Sequence, residues 1–284
     1  MAKKHIPIAI AYDFDGTLAP GNMQEHSFIP ELGINIDAFW SRVRQHSKEH
    51  DMNEILAYME LMLKEGDHKN ILISKEAFSN HGKGIKFFNG VEQYFGLINS
   101  YAKDRNVKID HYIISSGLRD ILHGTSIAKH FKLIFASGYK FDQHGVAKWP
   151  ALAVDYTTKT QYLFRINKGI DNVYDNSTIN KYKPEAERPM PFKNMIYIGD
   201  GETDIPAMKM TKYNGGTSIA VYNPNKRKGK GQPSLRELCE TLITEERADY
   251  MAAADYTDDS ALVKIIKLTI DRIVAHDELK QYKK

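Results

Sequence analysis

Two aspartates, Asp13 and Asp15, directly follow the apolar run Ile6–Tyr12 and precede Gly16. Carboxylates one residue apart on a strand point to opposite faces, but a turn at Gly16, just past the strand end, brings both toward one site. A carboxylate that stays ionised can attack phosphorus or bind a metal, while a second that holds a proton can supply it to a leaving oxygen. The pair is therefore suited to attack at phosphorus or to metal binding, and the alternative is two turn carboxylates that cap a helix.

A second acidic turn, from Gly199 to Asp204, follows the apolar run Met195–Ile198. Asp200 is a hard oxygen donor of the kind that Mg²⁺ prefers. Asp204, four residues later, is placed to support the metal or a lysine. This turn therefore predicts a magnesium site, although acidic turn residues are common.

A third group of residues could hold a phosphate. Ser115, Ser116 and Gly117 follow an apolar run, and a hydroxyl at a strand end before a helix N-terminus forms a phosphate cradle. Lys159, at the start of a helical pattern, would supply a fixed cation against the charge of a phosphoryl group. Taken alone, the serines could simply form a turn, and the lysine could simply be solvated.

These residues need a scaffold that brings them together, and five apolar runs rich in β-branched and aromatic residues predict buried strands. Helical patterns between several of them favour an α/β fold, a mostly parallel sheet with helices on both faces. Ligands bind beyond the carboxyl ends of such strands. The predicted strands are Ile6–Tyr12, His111–Ser115, Lys132–Ala136, Met195–Ile198 and Thr217–Tyr222, and the predicted helices are Val91–Lys103, Leu118–His130, Thr160–Lys168 and Ile205–Met210.

The strand–helix alternation breaks in residues 20–88, where apolar residues recur at helical spacing and no convincing strand pattern occurs. We predict an α/β core of residues 1–19 and 89–284 with a small helical domain, residues 20–88, inserted into it. Residues 167–194 are irregular, polar and proline-containing, which predicts a long loop. The basic run at 226–230 is interpreted as a solvated loop.

The composition is that of an ordinary globular protein, with 42% hydrophobic and 26% charged residues among 284. A net charge of +3 is too small to indicate nucleic-acid binding. The single cysteine, Cys239, excludes a disulfide within the chain and fits a reducing compartment. No segment has the length of a membrane span. These features predict a cytoplasmic protein without a membrane or nucleic-acid partner, and they leave the oligomeric state open.

Together and in this order, the motifs resemble those of the haloacid dehalogenase superfamily, in its phosphoserine-phosphatase-like branch. The stretch Asp13-Phe14-Asp15-Gly16-Thr17-Leu18 is similar to the family's first motif in full. Ser115 is similar to the second motif, Lys159 to the third, and Gly199-Asp200 with Asp204 to the fourth. The resemblance implies a Rossmann-like parallel-sheet core and places residues 20–88 where the family carries a helical type-1 cap.

The resemblance also implies a reaction: Mg²⁺-dependent hydrolysis of a small-molecule phosphomonoester through an aspartyl phosphate. The second aspartate argues for phosphate chemistry over dehalogenation, because a departing halide needs no proton. The implied roles are nucleophile for Asp13, acid and base for Asp15, phosphoryl binding for Ser115, Ser116, Gly117 and Lys159, metal binding for Asp13, Asp200 and the backbone carbonyl of Asp15, and support for Asp204.

Two alternatives stay open at this stage. A phosphomutase would use the same chemistry and transfer the phosphoryl group to another hydroxyl, whereas a catalytically silent binding module would only keep the fold. The motifs do not identify the substrate, and we expect residues of the inserted helices to select it. There, Gln24, Glu25, Arg42 and Arg44 are candidates to face it, although such residues more often lie on the surface.

Overall fold

The computed structural model describes residues 5–226, 232–280 and 282. Within them, seven strands form one sheet in the order β4-β3-β2-β1-β5-β6-β7. Neighbouring strands are parallel except for the antiparallel pair of β3 and β4. The α/β prediction is confirmed. The strands are β1 (Ile6–Tyr12), β2 (Val107–Leu118), β3 (Phe131–Phe141), β4 (Ala147–Leu152), β5 (Met195–Gly199), β6 (Thr217–Tyr222) and β7 (Tyr250–Ala253).

All five predicted strands are present, and two further strands extend the sheet at its edges. β4 contains Pro150 and leaves several side chains exposed, so it lacks the apolar run of a buried strand. β7 has only four residues and pairs with β6 alone. Edge strands bury less surface than central ones, which is why their sequence pattern is weak.

β2 continues further than predicted, through a bulge at its carboxyl end. Ser115 pairs with Ala136 and Leu118 with Ser137, so that Ser116 and Gly117 have no pairing partner in the β2–β3 register. Bulges of this kind re-aim side chains and are frequent beside functional sites. The strand therefore carries the chain past the predicted helix start.

The predicted helix Leu118–His130 is wrong in its extent. A short helix covers Arg119–His123, and a single 3₁₀ turn follows at Ala128–His130. Gly124 lies between them, and the next helical layer packs directly against this glycine. A Cβ atom at Gly124 would lie 1.8 Å from the carbonyl oxygen of Ser79, so this crossing requires glycine.

Twelve helices surround the sheet in the described part of the chain. They are α1 (Met23–His26), α2 (Phe28–Glu31), α3 (Ile36–His50), α4 (Glu54–His68), α5 (Lys75–Lys83), α6 (Val91–Lys103), α7 (Arg119–His123), α8 (Lys159–Lys168), α9 (Asn176–Asn180), α10 (Ile205–Tyr213), α11 (Leu235–Thr244) and α12 (Ala261–Lys280).

Helices α1–α5 occupy the segment between β1 and β2 that was predicted to be helical. The chain leaves and re-enters the sheet layer at adjacent points, where the Phe88 amide donates to the Leu18 carbonyl at 3.0 Å. Ser74 caps α5 as its side chain accepts a hydrogen bond from the Ala77 amide. The division into a core of residues 1–19 and 89–284 and a cap of residues 20–88 stays a prediction.

The segment 167–194, predicted to be a loop, is more ordered than its composition suggests. Residues 167 and 168 end α8, and α9 and two 3₁₀ turns follow. The guanidinium of Arg165, which is 2% exposed, donates to the carbonyls of Asn172, Asp175 and Val173. One buried cation thus holds the loop by satisfying its backbone oxygens, a pairing that periodicity does not reveal.

Two hydrophobic cores lie on opposite faces of the sheet, as side-chain alternation along strands requires. In β1, Ile8, Ile10 and Tyr12 enter one core together with α6 and α12. Ala9 and Ala11 enter the other core, with α8, α10 and α11. The helices α3, α4 and α5 extend the first core beyond the sheet. Because β1 is buried on both faces, its position fixes the point in the fold at which the chain reaches Asp13 and Asp15.

Cys239 is buried in α11, and burial raises the pKa of its thiol to about 12. The thiol is therefore protonated and packs as a small hydrophobe. None of the described helices has both the length and the apolarity that a membrane crossing needs. From the predicted basic loop, Arg227, Lys228 and Lys230 lie outside the described residues.

His111 makes the stability of the fold depend on pH. Its ring Nδ1 lies 3.0 Å from the Tyr12 hydroxyl oxygen and its Nε2 lies 3.1 Å from the Asn99 amide oxygen. Burial, reinforced by His130, lowers the pKa of His111 from 6.5 to about 3. Below pH 6.5 the unfolded chain therefore binds a proton that the folded chain does not.

We expect His111 to cost about 1.4 kcal/mol of unfolding free energy for each pH unit below about 6.5, and nothing above it. Urea denaturation between pH 7 and 4.5 measures this slope. His111→Gln keeps a polar side chain without titration, so it should flatten the slope even if it lowers stability overall. An unchanged slope in the variant would contradict the assignment.

Candidate active site

The predicted site residues meet at one edge of the sheet, beyond the carboxyl ends of three adjacent strands. Asp13 follows β1, the bulge at Ser116 ends β2, and Asp200 follows β5. The Asp13 amide donates to the Ile198 carbonyl at 2.8 Å and so joins the first and last of these turns. Parallel pairing of β1 with both β2 and β5 is what brings the separate motifs together.

Lys159, the first residue of α8, is fully buried and lies between two carboxylates. Its Nζ is 2.9 Å from Asp13 Oδ1 and 2.6 Å from Asp204 Oδ1. Burial opposes the charge on Lys159, but the two carboxylates outweigh it and raise the pKa of the lysine. The ammonium is therefore permanently charged and fixed against Asp13.

Asp204 is also fully buried, and every contact it makes supports the site. Its Oδ1 accepts a hydrogen bond from the Tyr197 hydroxyl at 2.6 Å as well as from Lys159. Its Oδ2 accepts from the backbone amide of Asp200 at 3.2 Å. Asp204 thus holds both the lysine and the turn that carries Asp200.

Asp13, Asp200 and Asp204 offer carboxylate oxygens that lie within 4.8 Å of one another. Because Asp204 is occupied by Lys159, Tyr197 and a backbone amide, Asp13 and Asp200 are the carboxylates left to bind a cation. Burial, followed by the charge of Asp204, raises the pKa of Asp13 to about 7, and burial with Asp13 raises the pKa of Asp200. Hard oxygen donors with an excess of negative charge fit a divalent cation such as Mg²⁺.

Gly16 allows the first and fourth motifs to approach this closely. Its φ is +79°, and a Cβ atom there would lie 2.0 Å from Asp200 Oδ2. Any side chain would therefore strain the turn and displace the Asp200 carboxylate. The glycine of the first motif is thus explained by the position of the fourth.

The Asp15 carboxylate points away from this cluster. Its Oδ1 accepts a hydrogen bond from the Met23 amide, at the start of α1, at 2.8 Å. Burial, followed by the negative charge of Asp13, raises the pKa of Asp15 well above its usual value. The two aspartates therefore occupy different environments, one beside a fixed ammonium and one suited to holding a proton.

Ser115, Ser116 and Gly117 do not contribute in the same way. The Ser115 hydroxyl is buried and accepts a hydrogen bond from the Gly117 amide at 3.0 Å, so it shapes the bulge. Ser116 lines the open space beside Asp15, and its buried Oγ has no hydrogen-bond partner among the described residues. The strand end therefore presents Ser116 and Gly117 to a ligand.

Two adjoining cavities open onto these residues. The core cavity, about 310 Å³, is lined by Asp13, Lys159 and Asp200. The helical cavity, about 360 Å³, is lined on one side by side chains of α3 and α4. The two cavities share four lining residues, which are Asp15, Asn22, Ser116 and Thr203.

The four candidate residues of the helical segment lie in different places, and three of them line one of the two cavities. Gln24 and Arg44 line the helical cavity, and Glu25 lines the core cavity. Arg42 instead forms an ion pair with Glu65 and lines a different depression on the surface.

Comparisons with known proteins agree with this architecture. No family model matches the chain. An uncharacterized protein of Borreliella burgdorferi is 29% identical, over 90% of this chain and 93% of its own length. A HAD family hydrolase from Salmonella enterica serovar Typhi superposes with a TM-score of 0.55 at 15% identity, over 93% of this chain and 72% of its own.

A substrate-bound phosphoserine phosphatase superposes with a TM-score of 0.53 at 17% identity, over 92% of this chain and 98% of its own. The chain has the haloacid dehalogenase-like fold. Within that fold, Asp13 of the first motif and Asp204 of the fourth lie against Lys159 of the third.

Sequence patterns did not reveal three groups that complete this site. They are the Tyr197 hydroxyl on Asp204, the Met23 amide on Asp15, and the Tyr58 hydroxyl, which donates to the Ser116 carbonyl at 2.7 Å. Tyr197 and Tyr58 belong to apolar runs, where a tyrosine usually serves packing. Only the fold shows that their hydroxyls end at the site.

Removing the lysine should destabilise the fold because it leaves two buried carboxylates without a cation. We expect Lys159→Met to lower the unfolding free energy by about 3–5 kcal/mol. Adding Asp204→Asn should restore part of this loss, since it removes one of the two charges. Urea denaturation of both variants at pH 7.5 measures the effect, and a Lys159→Met protein within 1 kcal/mol of the parent would refute it.

Proposed function

We propose that the protein is a Mg²⁺-dependent phosphatase that hydrolyses a small-molecule phosphomonoester through an aspartyl-phosphate intermediate. The observation that carries this proposal is the separation of Asp13 and Asp15. Asp13 lies against the Lys159 ammonium and beside Asp200, whereas a carboxylate oxygen of Asp15 accepts a hydrogen bond from the Met23 amide. One aspartate is thus equipped as a nucleophile and the other as an acid.

In the first step, a carboxylate oxygen of Asp13 attacks the phosphorus atom and the bond from phosphorus to the leaving oxygen breaks. Asp15 transfers its proton to that oxygen, which departs as an alcohol. Lys159 neutralises charge on Asp13 and on the phosphoryl oxygens, and its burial between Asp13 and Asp204 means that it does so without reorganising.

In the second step, the ionised Asp15 takes a proton from a water molecule, whose oxygen attacks the phosphorus of the aspartyl phosphate. The bond from Asp13 to phosphorus breaks, and inorganic phosphate leaves. When bound, Mg²⁺, held by Asp13, Asp200 and the backbone carbonyl of Asp15, would supply further positive charge for the phosphoryl group.

The size of the site favours a small substrate. The core cavity and the helical cavity, about 310 and 360 Å³, are of the size that small-molecule sites have. Phosphoserine phosphatases are among the solved structures with the same fold, which supports phosphatase chemistry. A cytoplasmic location, with neither a nucleic-acid nor a membrane partner, completes the proposal.

The nucleophile assignment predicts that Asp13→Asn lowers turnover of p-nitrophenyl phosphate at least about 1,000-fold, because an amide does not attack phosphorus. Removal of divalent cations with EDTA should abolish the parent activity, and added Mg²⁺ should restore it. Asp277→Asn is a matched change on α12, near the amino end of β1 and so away from the site. It should leave turnover unchanged. Absence of metal-dependent release above that of the Asp13→Asn variant would contradict the phosphatase proposal and favour a catalytically silent binding module.

The acid assignment predicts an effect that depends on the leaving group. Asp15→Asn should slow single-turnover release of an alkyl alcohol about 100-fold more than release of p-nitrophenol, which departs without a proton. Rapid-quench measurement of the first turnover isolates this step from hydrolysis of the intermediate. An equal loss for both esters would argue against a proton transfer from Asp15.

A further inference from the structure

The helical cavity has an aromatic wall next to the proposed proton donor. Trp40 from α3 and Tyr58 from α4 pack edge to face, with ring centroids 5.9 Å apart, and Tyr156 lies on the same cavity. The Trp40 indole donates to a Glu25 oxygen at 2.8 Å, so the orientation of its ring is fixed. A leaving group that extends from Asp15 into this cavity therefore contacts aromatic rings.

Charged side chains on the same cavity leave an excess of negative charge. Asp37 and Arg44 lie seven residues apart on α3, both exposed to solvent, and their charges oppose each other. Glu54, at the start of α4, is half-buried and has no counterpart among the other cavity residues of α3 and α4. Burial, followed by the charges of Glu54 and Glu202, raises the pKa of Tyr156, which agrees with a negative potential here.

Gln24 supplies an independent sign that a ligand belongs in this cavity. Its side chain is 2% exposed and lines the cavity, yet its Oε1 has no hydrogen-bond partner among the described residues. A buried amide oxygen without a donor is costly, and such atoms are rare in folded proteins. The cavity therefore calls for a ligand that brings an N–H or O–H group to Gln24.

We propose that the leaving group is a short primary amino alcohol, whose ammonium occupies the helical cavity, donates to Gln24 and is balanced by Glu54. Its methylene groups pack on Trp40 and Tyr58, and the rings attract the cation through their π faces. The inference rests on the proposed phosphatase function and narrows its substrate to phosphomonoesters that carry a primary ammonium group. The bonds made and broken stay those given above.

The decisive measurement compares kcat/KM for esters that differ only at this end. Propyl phosphate replaces the ammonium of 2-aminoethyl phosphate with a methyl group of similar size, and phosphoglycolate replaces the aminomethyl group with a carboxylate. Phosphocholine keeps the charge but has no N–H group. We expect 2-aminoethyl phosphate to exceed propyl phosphate at least tenfold, mainly through KM, to exceed phosphocholine severalfold, and to exceed phosphoglycolate by more.

Variants test the residues that make this distinction. Glu54→Gln and Gln24→Met should each reduce the ratio of kcat/KM for 2-aminoethyl phosphate to that for propyl phosphate at least fivefold. Arg42→Gln, on the same helix as Trp40 but outside the cavity, should leave the ratio unchanged. Because the ratio is internal to each variant, a partly unfolded preparation does not alter it.

Three outcomes would overturn the inference. They are a preference for propyl phosphate or phosphoglycolate, a ratio unchanged in both cavity variants, and O-phosphoserine turnover tenfold faster than that of 2-aminoethyl phosphate, which would show that a carboxylate is recognised. Turnover of p-nitrophenyl phosphate distinguishes failure of this inference from failure of the phosphatase proposal. If it occurs and depends on Asp13, the phosphatase proposal survives such a result; if it does not, the phosphatase proposal fails and the inference with it.

Discussion

The ammonium of Lys159, buried between the carboxylates of Asp13 and Asp204, is the interaction on which the rest of the site depends. A charge without access to water persists only when opposite charges surround it, and the two carboxylates need the cation equally. Three distant parts of the chain are therefore held at fixed distances. The Tyr197 hydroxyl and the Asp200 amide satisfy the remaining oxygens of Asp204, so the arrangement leaves little freedom for Asp13.

Sheet topology makes this ion pair possible. Because β1 pairs in parallel with both β2 and β5, the turns after these strands open at the same edge, and the two-residue bulge in β2 turns Ser116 toward them. The close approach of Gly16 to Asp200 then brings the carboxylates of two motifs together. Electrostatic repulsion among these acids is the cost of the arrangement, and a divalent cation would relieve it.

The helical segment completes the site from the other side. The Met23 amide positions Asp15, and the Tyr58 hydroxyl holds the bulge through the Ser116 carbonyl. The same helices form the aromatic and acidic wall of the helical cavity. Residues that support the proposed proton donor and residues that line the cavity proposed for the leaving group thus belong to one packed unit. Recognition of the leaving group and protonation of its oxygen are accordingly adjacent in space.

The sequence by itself determined the α/β class, the five central strands and the set of acidic, hydroxyl and lysine residues at the site. Strand burial and the order of the motifs are local properties of the sequence, so hydrophobic periodicity and residue spacing predict them directly. Only the tertiary structure decided that Ser115 shapes a turn while Ser116 faces the cavity, that Gly124 ends α7, and that Arg165 orders a proline-rich loop. These depend on contacts between residues far apart in the chain, which no local pattern encodes.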